Sequence, residues 1–128
     1  MALTPIFVSF DYDNDVDLYR MLIGQSKHDD TPFSVADWSV KNESADWVDD
    51  ARRRISRVDQ VVVICGHTTG SATGIDVEIE LARELGKPYF LLGGRADGRN
   101  VPPRGALATD KVYNWTWDNL KTLIAGGR

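Results

Sequence analysis

Short apolar runs alternate with segments of helical periodicity along the whole sequence, and this alternation limits the possible folds more than any other feature. Residues 60–65 (QVVVIC) form the clearest run, because an almost uninterrupted apolar stretch is typical of a strand covered on both faces. Strands that alternate with helices predict a parallel sheet with helices on both faces, since right-handed crossovers bring the helices there. We therefore predict an α/β fold with a three-layer, doubly wound sheet of five parallel strands.

The boundaries of the elements follow from the apolar pattern and its stop signals. The predicted strands are residues 6–10, 32–36, 60–65, 89–92 and 111–115. The predicted helices are residues 15–23, 74–86 and 117–125, together with a segment whose apolar repeat runs from Trp47 to Val58. Ser44 can cap this last helix. In the first helix, Leu18, Met21 and Leu22 are expected to face the core. Asp15 is its predicted N-cap, and Gly24 is predicted to end it.

Residues 93–110 (GGRADGRNVPPRGALATD) are predicted to form a loop, because they are rich in Gly, Pro and Arg where the pattern would otherwise put a helix. A loop of this length in a compact domain is usually functional or mobile. A surface excursion around a short helical turn is the alternative.

The size and charge of the chain limit its function. Its 128 residues predict one domain, residues 1–128. A net charge of −4 and a pI near 5 argue against nucleic acid as a partner, because binding of nucleic acid needs a basic face. Arg52–Arg54 follow Asp49 and Asp50 at helical spacing, which predicts a solvated face on which these charges pair with one another.

The single cysteine, Cys65, excludes a disulfide framework and a cysteine-based zinc site, and its apolar neighbours predict that it is buried. The N-terminus has neither a basic stretch nor a long apolar one, and no segment approaches the length of a membrane span. We therefore expect a cytoplasmic protein with no membrane partner.

Glu78 is the only charged residue on the apolar side of the predicted helix 74–86. The opposite arc of the helix carries the other charges, which are Asp76, Glu80, Arg83 and Glu84. Burying an ionised carboxylate costs several kcal/mol unless the group is paired or neutralised. In an open parallel sheet the ligand crevice lies beyond the carboxyl ends of the strands, and this helix leaves the third strand at that edge. Glu78 is therefore predicted to face the crevice, unless an arginine seals it in a salt bridge.

Residues 11–15, 37–43 and 66–74 are expected to converge at this crevice, because each segment follows one of the first three strands. The first of them contains an acidic cluster, FDYDND. A haloacid-dehalogenase phosphatase is excluded because it needs Thr or Val at the position of Asp15, and an EF-hand is excluded because it needs Gly at the position of Val16. We therefore predict no metal site, and Asp11 either lines the pocket or is solvated.

The segment 66–74 (GHTTGSATG) is rich in glycine and hydroxyl side chains and leads into a helix N-terminus, which is typical of phosphate or sugar binding. It lacks the Gly-Lys-Ser/Thr of a P-loop. Asp76 and Glu78 would repel a phosphate on the helix axis, which favours a sugar whose hydroxyls donate to a carboxylate. We expect His67 and Ser71 to contact the ligand, and exposure to solvent is the alternative for His67.

Four segments together resemble a known family: FVSFDYDND, VADWS with Trp47 and Arg54 after it, DQVVVICGHTTGSATGIDVEIELARELGKPYFLL, and VYNWTWDNL. In this order they are similar to bacterial TIR-like domains, which are related to the Toll/interleukin-1 receptor fold, and in particular to the short group that includes the Thoeris antiphage-defence TIR proteins. The resemblance implies a flavodoxin-like, TIR-like sheet with strand order 2-1-3-4-5. The family pattern Glu-Leu/Ile-x-x-Ala after the third strand is matched by Glu78, Ile79 and Ala82.

The resemblance implies that Glu78 is the catalytic carboxylate of an NAD-cleaving enzyme. Such a glycohydrolase or cyclase releases nicotinamide and makes ADP-ribose or a cyclic ADP-ribose-type signal. NAD would be its substrate, with no separate cofactor, and self-association through TIR–TIR contacts is also implied. Phe10 and Asp11 would line the nucleotide pocket. The loop that covers the pocket would begin with Asp37, Trp38 and Ser39.

One position departs from the family pattern. Many members carry Trp four residues before the glutamate, where this chain has Gly74. The resemblance therefore implies no aromatic side chain that could stack on a ligand at this position. Two other functions remain open. One is a non-catalytic TIR-like assembly module, and the other is a nucleoside deoxyribosyltransferase-like N-glycosidase, which also uses a crevice carboxylate.

Overall fold

The computed structural model describes residues 3–35 and 46–127, and within these ranges five parallel strands form one sheet. The strands are β1 (Thr4–Ser9), β2 (Phe33–Val35), β3 (Gln60–Cys65), β4 (Tyr89–Gly93) and β5 (Val112–Asn114). Their order across the sheet is β2–β1–β3–β4–β5, and every neighbouring pair is parallel. The predicted fold class and strand order are confirmed. Because the order reverses between β1 and β3, a crevice is expected beyond the carboxyl ends of these two strands.

Helices cover both faces of the sheet. Those in the described residues are α1 (Val16–Ser26), α2 (Trp47–Ser56), α3 (Thr73–Glu84) and α4 (Trp117–Ile124). The period of two along β1 decides which side chains meet which helices. Ile6 and Val8 join the core beneath α1 and α4, whereas Phe7 joins the core beneath α2 and α3. All of β3 is buried, as expected for a central strand that is covered on both sides.

The first helix differs from its prediction in two details. It runs through Gly24 to Ser26, because one glycine in an exposed turn costs only about 1 kcal/mol and the packed residues around it sustain the helix. Met21 was expected to face inward and is instead 55% exposed. The buried arc of α1 is centred between Leu22 and Tyr19, so Met21 lies outside it.

Asp15 is the N-cap residue of α1, as predicted, and its side chain is buried beside the end of β3. It occupies the N-cap position but makes no capping hydrogen bond. Its Oδ1 instead pairs with Nη2 of Arg95 at 2.8 Å, because a buried carboxylate is stabilised more by an opposite charge than by a neutral N–H. Gly66 leaves room for this carboxylate, since a Cβ at that position would lie 2.6 Å from both carboxylate oxygens.

The long connection before β5 is a loop, as predicted, and residues 94–111 contain turns but no helix. Arg95 ties the beginning of this loop to Asp15 at the start of α1. Further along, the backbone N–H of Gly105 donates a hydrogen bond of 2.8 Å to Asp76 on α3. The loop is therefore held against helices on both faces of the sheet.

The predicted cap of the second helix lies at the edge of a described range. Helix α2 begins at Trp47 with Asp46 in the N-cap position, and Ser44, the predicted cap, lies outside the described residues.

Across residues 3–35 and 46–127, the helices are all too short or too polar to cross a membrane.

Candidate functional site

A cavity of about 400 Å³ opens at the predicted crevice. Three parts of the chain line it: the end of β1 with residues 10–14, one face of α2, and the start of α3 with the residues just before it. Its volume lies near the lower end of the range of roughly 300–1,000 Å³ that is usual for small-molecule sites. The cavity can therefore hold part or all of a nucleotide-sized ligand.

Glu78 lines this cavity and is anchored by Ser9. The hydroxyl of Ser9 donates a hydrogen bond of 2.7 Å to Oε1 of Glu78. Ser9 is fully buried on the face of β1 that also carries Phe7, so the strand presents one hydroxyl to α3 in an otherwise apolar row. Glu78 itself keeps some exposure to solvent. Among the described residues no salt bridge reaches its carboxylate, so Glu78 faces the cavity and is not sealed by an arginine.

Burial raises the pKa of Glu78 to about 7. The hydrogen bond from Ser9 and the positive charge of Arg54 both oppose this rise. The cause is the low-dielectric setting that the apolar side of α3 provides, where the charged form of an acid is disfavoured. Near neutral pH Glu78 is therefore a mixture of protonated and ionised forms, and a cation in the cavity would favour the ionised form.

Asp11 also lines the cavity, but hydrogen bonds from its surroundings already engage both of its oxygens. Oδ1 accepts from the backbone N–H of Asp13 at 3.2 Å, and Oδ2 accepts from Nδ2 of Asn14 at 2.8 Å. Oδ2 also accepts from the hydroxyl of Thr68 at 2.8 Å. Asp11 therefore braces the loop after β1 against the loop after β3 and shapes the wall of the cavity.

Aromatic rings form another part of this wall. Phe10 lines the cavity and stacks on Tyr19 with ring centroids 4.6 Å apart. The ring of Phe10 also lies near that of Tyr12, with ring centroids 5.9 Å apart. Tyr12 is 42% exposed and also lines the cavity, so it offers a ring face to a ligand. No pattern in the sequence marks Tyr12, because it lies within an acidic cluster where the charges dominate.

Of the other residues predicted to contact the ligand, Ser71 is the only described one that lines the cavity. Ser71 lines the cavity, and its hydroxyl donates a hydrogen bond of 3.0 Å to the carbonyl of Thr68. His67 is not among the described lining residues; its Nε2 lies 2.8 Å from the Asp97 carboxylate on the long loop, and the pair is exposed to solvent. The three predicted loop residues, Asp37, Trp38 and Ser39, lie outside the described residues.

Arg54 lies on the cavity wall and not on the solvated face where its sequence pattern predicted it. The run Arg52–Arg54 was expected to be a self-paired, solvated face. Arg53 pairs with Asp50 of the same helix at 3.3 Å, as expected, whereas Arg52 pairs with Glu84 on α3 at 2.9 Å. Arg54 lines the cavity, where it is partly exposed. The available signal was its helical spacing, because it lies three residues after the buried Ala51 and seven after Trp47, which both line the same cavity.

Gly74, the position that departs from the family pattern, lies on the cavity wall. A Cβ at this position would have no heavy atom within 4 Å, so the space in front of it is open. The described residues contain no group of three or more His, Cys, Asp or Glu side chains that could hold a metal ion.

Comparison with known families gives a match that covers most of the chain. The family model of the TIR-like domain of the Thoeris protein ThsB matches residues 7–98. The match covers well over half of the chain and includes every cavity residue discussed above. A search of curated proteins gives no match.

Proposed function

The chain belongs to the family of TIR-like domains of the Thoeris protein ThsB, and from this premise we propose that it is an NAD-cleaving enzyme of antiphage defence with Glu78 as its catalytic carboxylate. The observation that carries the proposal is the position of Glu78 on the wall of an open cavity, held by Ser9 and without a salt bridge from any described residue. A carboxylate in that setting is poorly explained by stability alone, because its burial favours the uncharged form.

The proposed reaction breaks the bond between the ribose C1′ and the nicotinamide nitrogen of NAD. The bonding electron pair leaves with nicotinamide, which departs as a neutral molecule and needs no strong general acid. The ribose is left with oxocarbenium character, and the Glu78 carboxylate stabilises this positive charge while accepting hydrogen bonds from ribose hydroxyls. Water, or a nitrogen of the adenine in the same molecule, then attacks C1′ and loses a proton. The products are ADP-ribose or a cyclic ADP-ribose-type signal, and NAD is consumed as a substrate without a further cofactor.

The electrostatics of the cavity support this chemistry. The nicotinamide ring of NAD is a cation, and its approach lowers the pKa of Glu78 from about 7, so the bound state has an ionised carboxylate. Within a partly desolvated cavity that charge acts on the transition state more strongly than it would in water. Binding of the substrate therefore generates the form of Glu78 that the reaction needs.

Ser9 is the proposed positioning residue for this carboxylate. It engages Oε1, and no hydrogen bond from the described residues engages Oε2. One oxygen is thus held by the sheet while the other remains available to the ribose. Because Ser9 is fully buried on β1, its hydroxyl has little freedom, and the orientation of Glu78 is set before the substrate arrives.

The test is an assay of nicotinamide release by the purified full chain, at protein concentrations high enough for the proposed TIR–TIR self-association. We expect NAD to be consumed, and Glu78→Gln to lower kcat by about 100- to 1,000-fold, as removal of a preorganised electrostatic group does in other enzymes. Glu80→Gln is the matched control, because Glu80 lies two residues away on the same helix and is exposed. Mass spectrometry of the products distinguishes hydrolysis from cyclisation.

Two outcomes would replace the proposal with another function. Release of free base from deoxynucleosides, with NAD intact, would identify a deoxyribosyltransferase-like N-glycosidase. Intact NAD at all protein concentrations, together with stable association that survives Glu78→Ala, would identify a non-catalytic assembly module. We propose that the reaction takes place in the cytoplasm, where NAD is available to the enzyme.

A further inference from the structure

The cavity wall combines several carboxylates with a single cation. Among the lining residues that the structure describes, the acidic ones are Asp11, Asp13, Asp50 and Glu78, whereas Arg54 is the one basic residue. Arg54 is partly buried there, and its neighbours Arg52 and Arg53, which pair with Glu84 and Asp50, are not among the lining residues that the structure describes. A guanidinium on a partly desolvated wall interacts with an anion more strongly than an exposed one does.

We propose that Arg54 binds a phosphate group of the substrate and makes the site selective for nucleotides over nucleosides. The inference rests on the proposed function and identifies the part of the substrate that α2 recognises. A guanidinium presents parallel N–H donors that match two phosphate oxygens, and it stays charged at every physiological pH.

Arg54 and Glu78 lie on one cavity wall, so a single nucleotide can contact both. Both side chains line the same cavity, and their charges are close enough to interact. In a nucleoside 5′-phosphate, one ribose separates the phosphate from the glycosidic bond. A ribose that meets Glu78 at its glycosidic end therefore directs its phosphate to a neighbouring part of the same wall, and Arg54 supplies the positive charge there.

The acidic neighbours of Arg54 are partly neutralised by other groups. Asp50 pairs with Arg53 at 3.3 Å, and the carboxylate of Asp11 accepts hydrogen bonds from Asn14 and Thr68, both at 2.8 Å. These contacts reduce the repulsion that a phosphate would otherwise meet on the wall.

The kinetic test compares three substrates that differ in their phosphates: NAD, nicotinamide mononucleotide and nicotinamide riboside. With the wild-type chain we expect kcat/KM to be lower for the riboside by about tenfold or more. At a pH well above the pKa of Glu78, where loss of the Arg54 charge does not alter the ionisation of the carboxylate, Arg54→Gln should lower kcat/KM for the two phosphorylated substrates by about 10- to 100-fold, mainly through KM, and change the riboside by less than twofold. Arg53→Gln, an exposed neighbour on the same helix, should change none of the three. An equal loss on all three substrates, or no loss on any, would overturn the proposal.

A binding measurement separates this inference from the proposed catalytic activity. Isothermal titration calorimetry with ADP and with adenosine needs no turnover. We expect Arg54→Gln to weaken ADP at least tenfold and to leave adenosine unchanged, and Arg54→Lys, which keeps the charge but not the parallel donors, to give an intermediate loss. If NAD is not cleaved but ADP binding depends on Arg54, the inference stands and the proposed function falls. If folded Arg54→Gln and Arg54→Lys both bind ADP like the wild type, the inference is wrong. It is also wrong if the wild type binds no ADP.

Discussion

Replacing Glu78 with glutamine is expected to stabilise the fold at alkaline pH and to change it much less at acidic pH. Glutamine has nearly the same shape as glutamate, and its amide oxygen can still accept the hydrogen bond from Ser9. The substitution therefore removes the charge and little else. A residue whose removal stabilises the protein while abolishing its activity is one that is retained for function.

The magnitude follows from the pKa of Glu78, which burial raises from 4.5 to about 7. Between these two values the folded chain binds more protons than the unfolded chain, so the free energy of unfolding falls as the pH rises. At 1.36 kcal/mol per pH unit, the ionised carboxylate costs about 3 kcal/mol at pH 8 and about 1 kcal/mol at pH 5, relative to an uncharged side chain. The value at pH 8 is an upper limit, because the cavity admits water to Glu78.

The assay is urea unfolding followed by tryptophan fluorescence at pH 5, 6, 7 and 8, at low protein concentration. The measured quantity is the difference in the free energy of unfolding between Glu78→Gln and the wild type, in which the titrations of all other groups cancel. This difference should grow by about 2 kcal/mol from pH 5 to pH 8. The exposed control Glu80→Gln should show no such trend. A difference that is the same at pH 5 and pH 8 would refute the conclusion that the Glu78 carboxylate is desolvated.

Three further predictions concern other residues. Ser9→Ala removes the hydrogen bond that lowers the pKa of Glu78, so the midpoint of the pH profile of kcat/KM for NAD should move to higher pH, and an unmoved midpoint would contradict the positioning role. Arg95→Ala leaves the Asp15 carboxylate, which is 1% exposed, without its ion pair, so the free energy of unfolding measured with urea should fall by about 3 kcal/mol. Asp17→Asn removes the exposed partner of Arg95 and should lower the free energy of unfolding by less than about 1 kcal/mol. Gly24→Ala should raise the free energy of unfolding by about 0.5–1 kcal/mol and the melting temperature with it, because the added Cβ meets nothing within 4 Å inside α1; a lower melting temperature would mean that the helix ends earlier.

The order and type of the elements could be read from the sequence because they depend on local patterns. The apolar run of β3 predicts a central strand, and the periodicity of residues 74–86 predicts α3, which is observed at Thr73–Glu84. The errors in α1 have a different origin. Gly24 carries a strong local signal for a stop, but packing around it sustains the helix, and Asp15 holds the predicted N-cap position while its side chain pairs with Arg95.

The candidate site could be predicted only in part. Phe10, Asp11, Ser71 and Glu78 all lie on the cavity, because the ends of parallel strands and the helices that follow them meet at one edge of the sheet. Their chemical roles remain predictions. Ser9 was missed because its contact with Glu78 joins residues that are 69 positions apart, and no local pattern records such a distance.

Glu78 shows most directly what each level of structure decides. The sequence by itself determined that a charge lies on the apolar arc of a helix leaving the third strand, since helical periodicity is a local property of the chain. Only the tertiary structure decided what surrounds that charge. The sheet brings Ser9 beneath it and α2 brings Arg54 beside it, and the balance of burial, hydrogen bonding and opposite charge sets the pKa of the carboxylate near neutrality. Burial and charge interactions depend on distances in space between residues far apart in the chain, so they exist only once the fold has formed.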